Sequence, residues 1–125
     1  MRILILEDQE IRQRKFLFNL VGQDVCITAD VKACINYLEA SKWDCLFLDH
    51  DIEGPWICES GPGTGYEVAC WLEQHPDRQP KLIFTHSYNV TGVENICRAL
   101  PNASYFKYAW EVHCLNEILE KMLKE

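Results

Sequence analysis

Short runs of uninterrupted apolar residues recur along the chain with helix-length stretches between them, and few folds accommodate that rhythm. Residues 2–6 (RILIL), 25–28 (VCIT), 45–48 (CLFL) and 82–85 (LIFT) are four such runs, and 104–106 (SYF) is a weaker fifth. A strand with one wet face alternates apolar and polar residues, whereas a run apolar throughout is covered on both sides, as in a parallel sheet. The intervening segments carry helical periodicity. Helices are predicted over 9–20, with Ile11, Phe16, Leu17 and Leu20 as the inner face, and from an Asp30 N-cap, with Cys34, Ile35 and Leu38 inside. Others are predicted over 64–74, 91–100 and 110–123, the last facing inward through Val112, Leu115, Ile118, Leu119 and Met122. Five strands alternating with five helices predict one three-layer α/β domain over residues 1–125, its parallel sheet covered by helices on both faces.

Composition narrows what such a domain does. A net charge of −7 disfavours a broad nucleic-acid surface, which lysine and arginine normally lead, but leaves room for a small phosphate ligand held with a cation. Seven cysteines, with no CxxC pair and several inside apolar runs, are expected to be reduced and mostly buried in a cytoplasmic compartment. Met1 leads directly into an apolar run without a basic segment, and no apolar stretch approaches membrane-spanning length. Neither a signal peptide nor a membrane span is therefore expected.

In an open parallel sheet, ligands bind beyond the carboxyl ends of the strands. The first strand here is followed by Glu7-Asp8, the third by Asp49-His50-Asp51, the fourth by His86-Ser87 with Asn89 just after, and the fifth by Lys107. The fourth itself ends in Thr85. Carboxylates gathered at one edge repel one another, and a divalent cation is the usual resolution. Glu7, Asp8 and Asp49 are candidate oxygen ligands for Mg²⁺ or Mn²⁺, and adding His50 or His86 favours Mn²⁺ or Zn²⁺. Asp49 and Asp51, two residues apart, are expected on one side, with His50 on the other. Ser87 and Asn89 precede a helix whose free N–H groups receive an anion, and Lys107 supplies a positive charge for phosphate oxygens or for Asp49. His75 and His113 read as surface residues, Cys58 as a solvated thiol, and Trp56 as packing down the long 50–63 loop, whose length itself suggests a role.

These positions resemble the receiver domain of bacterial response regulators over essentially the whole chain. Glu7 and Asp8 match its acidic pair, Asp49 in WDCLFLD its phospho-accepting aspartate, Thr85 in KLIFT its hydroxyl, and Lys107 in SYFK its lysine. Gly65-Tyr66-Glu67-Val68 is similar to the start of the receiver's third helix. The departures are His50-Asp51 after the aspartate, a longer loop before Gly65, His86-Ser87-Tyr88-Asn89 where small residues are typical, and Tyr108 in place of proline. Together with GTGYEV and TGVENI, these departures resemble a divergent group, the cyclic-phosphate-processing receiver-like domains. The resemblance implies a flavodoxin-like (βα)₅ sheet in the order 2-1-3-4-5, a divalent metal, and a small cyclic phosphate or an RNA end as substrate.

An enzyme of this kind uses Glu7, Asp8, Asp49 and Asp51 as its metal shell, and Asp49, His50 and His86 as its catalytic groups. Thr85, Ser87, Asn89 and Lys107 are its phosphate-orienting groups. The expected reaction is hydrolysis of a cyclic phosphodiester to a monoester. The alternative is a signalling receiver phosphorylated on Asp49 that engages a protein partner through its fourth helix and fifth strand. An inert docking module is the third reading.

Overall fold

A computed structural model describes residues 1–52 and 58–125. Five strands, β1 (Arg2–Leu6), β2 (Asp24–Thr28), β3 (Cys45–Leu48), β4 (Leu82–Thr85) and β5 (Ala103–Tyr105), form one parallel sheet in the order β2-β1-β3-β4-β5. Between and after them run α1 (Glu10–Asn19), α2 (Val31–Ala40), α3 (Gly65–Gln74), α4 (Val90–Ala99) and α5 (Leu115–Lys124). This is the expected flavodoxin-like, receiver-type fold.

Strand alternation divides the interior in two. Leu4, Leu6, Leu46, Leu48 and Ile83 pack with Val31, Cys34 and Leu38 of α2, Val68 and Leu72 of α3, and Ile96 of α4. Ile3, Ile5, Cys45, Phe47, Leu82 and Phe84 point the other way, onto Phe16 and Leu20 at α1, Trp110, and Leu115 and Leu119 of α5. Phe47 stacks on Phe84 with centroids 5.1 Å apart, and Phe16 lies 5.1 Å from Phe47.

Three helices begin on side chains suited to the task. Asp30 accepts from Ala33 N at 3.0 Å to start α2, Thr64 accepts from Tyr66 N to start α3, and Asn89 accepts from Gly92 N to start α4. Asp30→Ala should cost ~1 kcal/mol in urea denaturation, because the cap it removes is exposed and only partly replaced by water.

Three sequence expectations need correction. The inner face of α1 keeps Phe16 and Leu20, 0% and 1% exposed, but not Ile11 and Leu17, 68% and 50% exposed, and Arg12 and Asn19 are buried in their place. Its inward residues are partly polar because they reach the sheet edge rather than the apolar centre. The helix predicted over 110–123 is split into a 3-10 turn, Ala109–Glu111, and α5 proper, following a left-handed Tyr108 (φ 58°). The cysteines are all free, but only Cys34 and Cys45 are buried; Cys26 lies on the edge strand β2, and Cys114 is exposed before α5. Trp56 and the centre of the 50–63 loop fall outside the described residues. Among the described residues no helix is long and apolar enough to cross a membrane.

Candidate active site at the carboxyl edge of the sheet

The strand register brings the first residues past β1, β3 and β4 into one row. Leu6, Leu48 and Thr85 are cross-strand partners, and the ladder continues one residue further: Asp49 N donates to Leu6 O at 3.1 Å, and His86 N to Leu48 O at 3.2 Å. Glu7, Asp49 and His86 share the parity of Ile5, Phe47 and Phe84. All three therefore face the α1/α5 layer, their ligand-type atoms within 4.8 Å of one another.

His86 is sealed in. Its ring lies edge-on to Phe16 and Trp110, with centroids 5.2 and 5.7 Å away, and its Nε2–H donates to Glu7 Oε1 at 2.9 Å. Burial holds the imidazole below its ordinary pKa, against the pull of Glu7, so the ring is neutral. A neutral ring donating from Nε2 carries a lone pair at Nδ1, and that atom is buried with no hydrogen-bond partner among the described residues. Burial alone would raise the Glu7 carboxyl. Hydrogen bonds from His86 and from Gln9 N (3.0 Å), with the charge of Arg12, bring it below its ordinary value instead.

Arg12, which the sequence reading did not single out, brings a cation into this row. It is 6% exposed, its Nη1 lies 3.6 Å from Glu7 Oε1 and 3.7 Å from Asp49 Oδ2, and its guanidinium sits over Tyr88 (4.6 Å) and Trp110 (4.2 Å). Asp49, 3% exposed, accepts from His50 N at 2.9 Å. Burial, then the charge of Glu7, pushes its carboxyl up to about 8 despite Arg12; Asp8, half-buried nearby, adds to the rise. The carboxylate oxygens of Glu7 and Asp49 suit Mg²⁺ or Mn²⁺. The raised Asp49 marks negative charge that Arg12 leaves uncompensated, and the residues fit a divalent cation.

A second group forms on the opposite face of β3. His50 is fully buried: Nδ1 lies 2.7 Å from Asp51 Oδ1, and Nε2 lies 2.8 Å from Ser60 Oγ. Strand alternation stops at Leu48, so Asp51 joins His50 rather than Asp49. Burial opposes ionisation of Asp51, but hydrogen bonds from Cys58, His50 and Asn89 outweigh it and leave its carboxyl below the ordinary value. The Cys58 thiol, expected to be solvated, instead donates to Asp51 at 3.0 Å, and burial followed by that bond pushes it up to about 11. Two glycines make room here. A Cβ on Gly92 would fall 2.4 Å from His50 Cγ, and one on Gly65 would fall 1.9 Å from Asp49 O.

The remaining expected residues are divided between these surroundings. Thr85 Oγ1 is buried without a hydrogen-bond partner among the described residues. Ser87 Oγ accepts from Asn89 N at 3.0 Å, and Asn89 donates to Asp51 and to Cys58 O while its own oxygen caps α4. Lys107 is exposed, its Nζ 5.3 Å from the centre of the Tyr108 ring, so Arg12 is the cation that reaches Asp49. Ser60, also not anticipated, lies in a glycine-proline segment where a single serine has no distinguishing signal.

The fold is similar to that of solved receivers. The Mn²⁺-bound form of the response regulator Rcp1 is 19% identical, with a TM-score of 0.65, over 97% of this chain and 90% of its own. A receiver domain from Rhodospirillum rubrum is 15% identical, with a TM-score of 0.68, over 100% and 95%. A protein from Chloroflexus aurantiacus assigned to the response regulators is 20% identical, with a TM-score of 0.74, over 99% and 98%. No curated protein matches the chain in sequence. Residues 2–102 match the family described as Cyclic-phosphate processing Receiver domain, to which the chain belongs.

Proposed function

We propose that the domain is a metal-dependent phosphoesterase that opens a cyclic phosphodiester, on a nucleotide or an RNA end, to a monoester. The observation that carries this reading is the convergence of Glu7, Asp49 and His86 at one buried edge of the sheet, in a chain of this family. Glu7, Asp49 and Asp8 would hold Mg²⁺ or Mn²⁺, which supplies a Lewis acid for the phosphoryl oxygens. Glu7 fixes the His86 tautomer by taking the Nε2–H, leaving Nδ1 as the atom that accepts or returns a proton. Arg12 places a planar guanidinium beside Asp49, and the unsatisfied Thr85 hydroxyl is a donor for a phosphate oxygen. The aromatic wall of Phe16 and Trp110 excludes water from His86.

Phosphorus NMR of the protein with a 2′,3′-cyclic nucleotide and Mn²⁺ or Mg²⁺ should show the monoester accumulating. His86→Gln should slow it at least ~100-fold with the fold intact by circular dichroism. No turnover with either metal, together with phosphorylation of Asp49 by a small phosphodonor, would favour the signalling reading instead.

A further inference from the structure

The group around His50 has the connectivity of a nucleophile, a base and an orienting acid in series. Asn89 Nδ2 lies 3.3 Å from His50 Nδ1, but its two hydrogens are directed to Asp51 Oδ1 (3.2 Å) and Cys58 O (2.9 Å). Asp51 is therefore the partner of Nδ1, which carries the ring hydrogen, and Nε2 is left as an acceptor. Ser60 stands at that acceptor, 2.8 Å away. Its oxygen already receives a hydrogen bond from Asn95 Nδ2 at 2.9 Å, and Arg98 Nη1 fixes that amide's orientation through Asn95 Oδ1. The serine proton is left for Nε2.

This series opens onto space. A cavity of about 350 Å³ is lined by Cys58, Ser60, Asn89, Thr91, Gly92 and Asn95, among others, so the nucleophile and the first turn of α4 face the same volume. Gly92 is what allows the turn to close on the His50 ring.

We propose that Ser60 is a nucleophile activated by His50, with Asp51 as the positioning residue, and that it attacks phosphorus esters bound in this cavity. The class of ester rests on the cyclic-phosphate reading above; the nucleophile rests on the geometry. In the step, a bond forms between Ser60 Oγ and phosphorus as a P–O ester bond breaks. The serine proton passes to His50 Nε2 and from there to the departing alkoxide, which in a cyclic ester stays tethered. Water then cleaves the Ser60–phosphorus bond, its proton following the same route and returning to the serine.

The probe is diisopropyl fluorophosphate, which needs neither metal nor cyclic substrate: Ser60 Oγ displaces fluoride, and the serine proton leaves by way of His50. Intact-mass and peptide mass spectrometry should find one adduct, on Ser60, absent from Ser60→Ala. Asp51→Asn, which spoils the His50 tautomer, should label at least ~100-fold more slowly while melting cooperatively. No adduct after prolonged exposure to millimolar probe, an adduct on another residue, or an Asp51→Asn rate equal to wild type overturns the proposal. Labelling without cyclic-nucleotide hydrolysis keeps Ser60 and removes the substrate class; hydrolysis without labelling does the reverse.

Discussion

Arg12→Met should destabilise the domain by ~3 kcal/mol at pH 7, read from urea denaturation, a loss of the order seen when one member of a buried charge pair is removed. Two terms contribute. Glu7 is fully buried, and without Arg12 its charge is met, among the described residues, by the His86 and Gln9 N–H groups. The guanidinium also stacks over Tyr88 and Trp110, contacts of ~0.5–1 kcal/mol each that a thioether replaces only in part. Methionine keeps most of the volume, so cavity formation is a small share of the cost. The loss should shrink at pH 4, where the uncompensated carboxylates take up protons. Arg12→Lys should fall between the two, because it restores the charge and not the planar stack. An Arg12→Met variant as stable as wild type would show that Glu7 is fully served by its hydrogen bonds.

Arg12 also marks the limit of what the sequence discloses. Glu7, Asp49 and His86 were legible because each directly follows an apolar run, and parallel strands in register turn that into proximity. The split of the polar residues into two groups was not legible as such. It follows from alternation up to Leu48 and from a change of direction after it, and only the first half of that is periodic. An arginine on a helix normally reads as solvated. Arg12 is buried because Tyr88 and Trp110, remote in sequence, lie against it, and the one local clue was an α1 whose apolar residues form no clean face. Lys107 matched the receiver pattern in order but not in place. Tyr108 follows it in a left-handed conformation, and the lysine lies along that ring rather than beside Asp49. Fold is carried by many weakly redundant apolar positions, whereas a site depends on a few side chains whose directions are set by contacts remote in sequence.

Asp49→Asn should make the protein more stable than wild type above pH 8 in EDTA, with the difference disappearing toward pH 4. The Asp49 carboxyl is pushed from 3.8 to about 8 by burial and then by Glu7, against the charge of Arg12. A group whose folded value is raised holds its proton more tightly in the native state. Its contribution is fully present below the unfolded value and is lost as pH rises through the folded one, so wild type loses stability between about pH 4 and pH 8. Asparagine has no such charge to bury and keeps an oxygen to accept from His50 N, so it escapes that loss. At 1.36 kcal/mol per pH unit the ceiling is ~6 kcal/mol, and relaxation around Arg12 should leave ~2 kcal/mol, a rise in Tm of roughly 6–8 °C at pH 8.5. Saturating Mn²⁺ should erase much of the difference by stabilising wild type, whose ionised Asp49 would be a ligand on the proposed reading, more than the variant. A variant no more stable than wild type at any pH would mean that Arg12 already balances the Asp49 charge, and the case for a divalent cation at this edge would lose its electrostatic support.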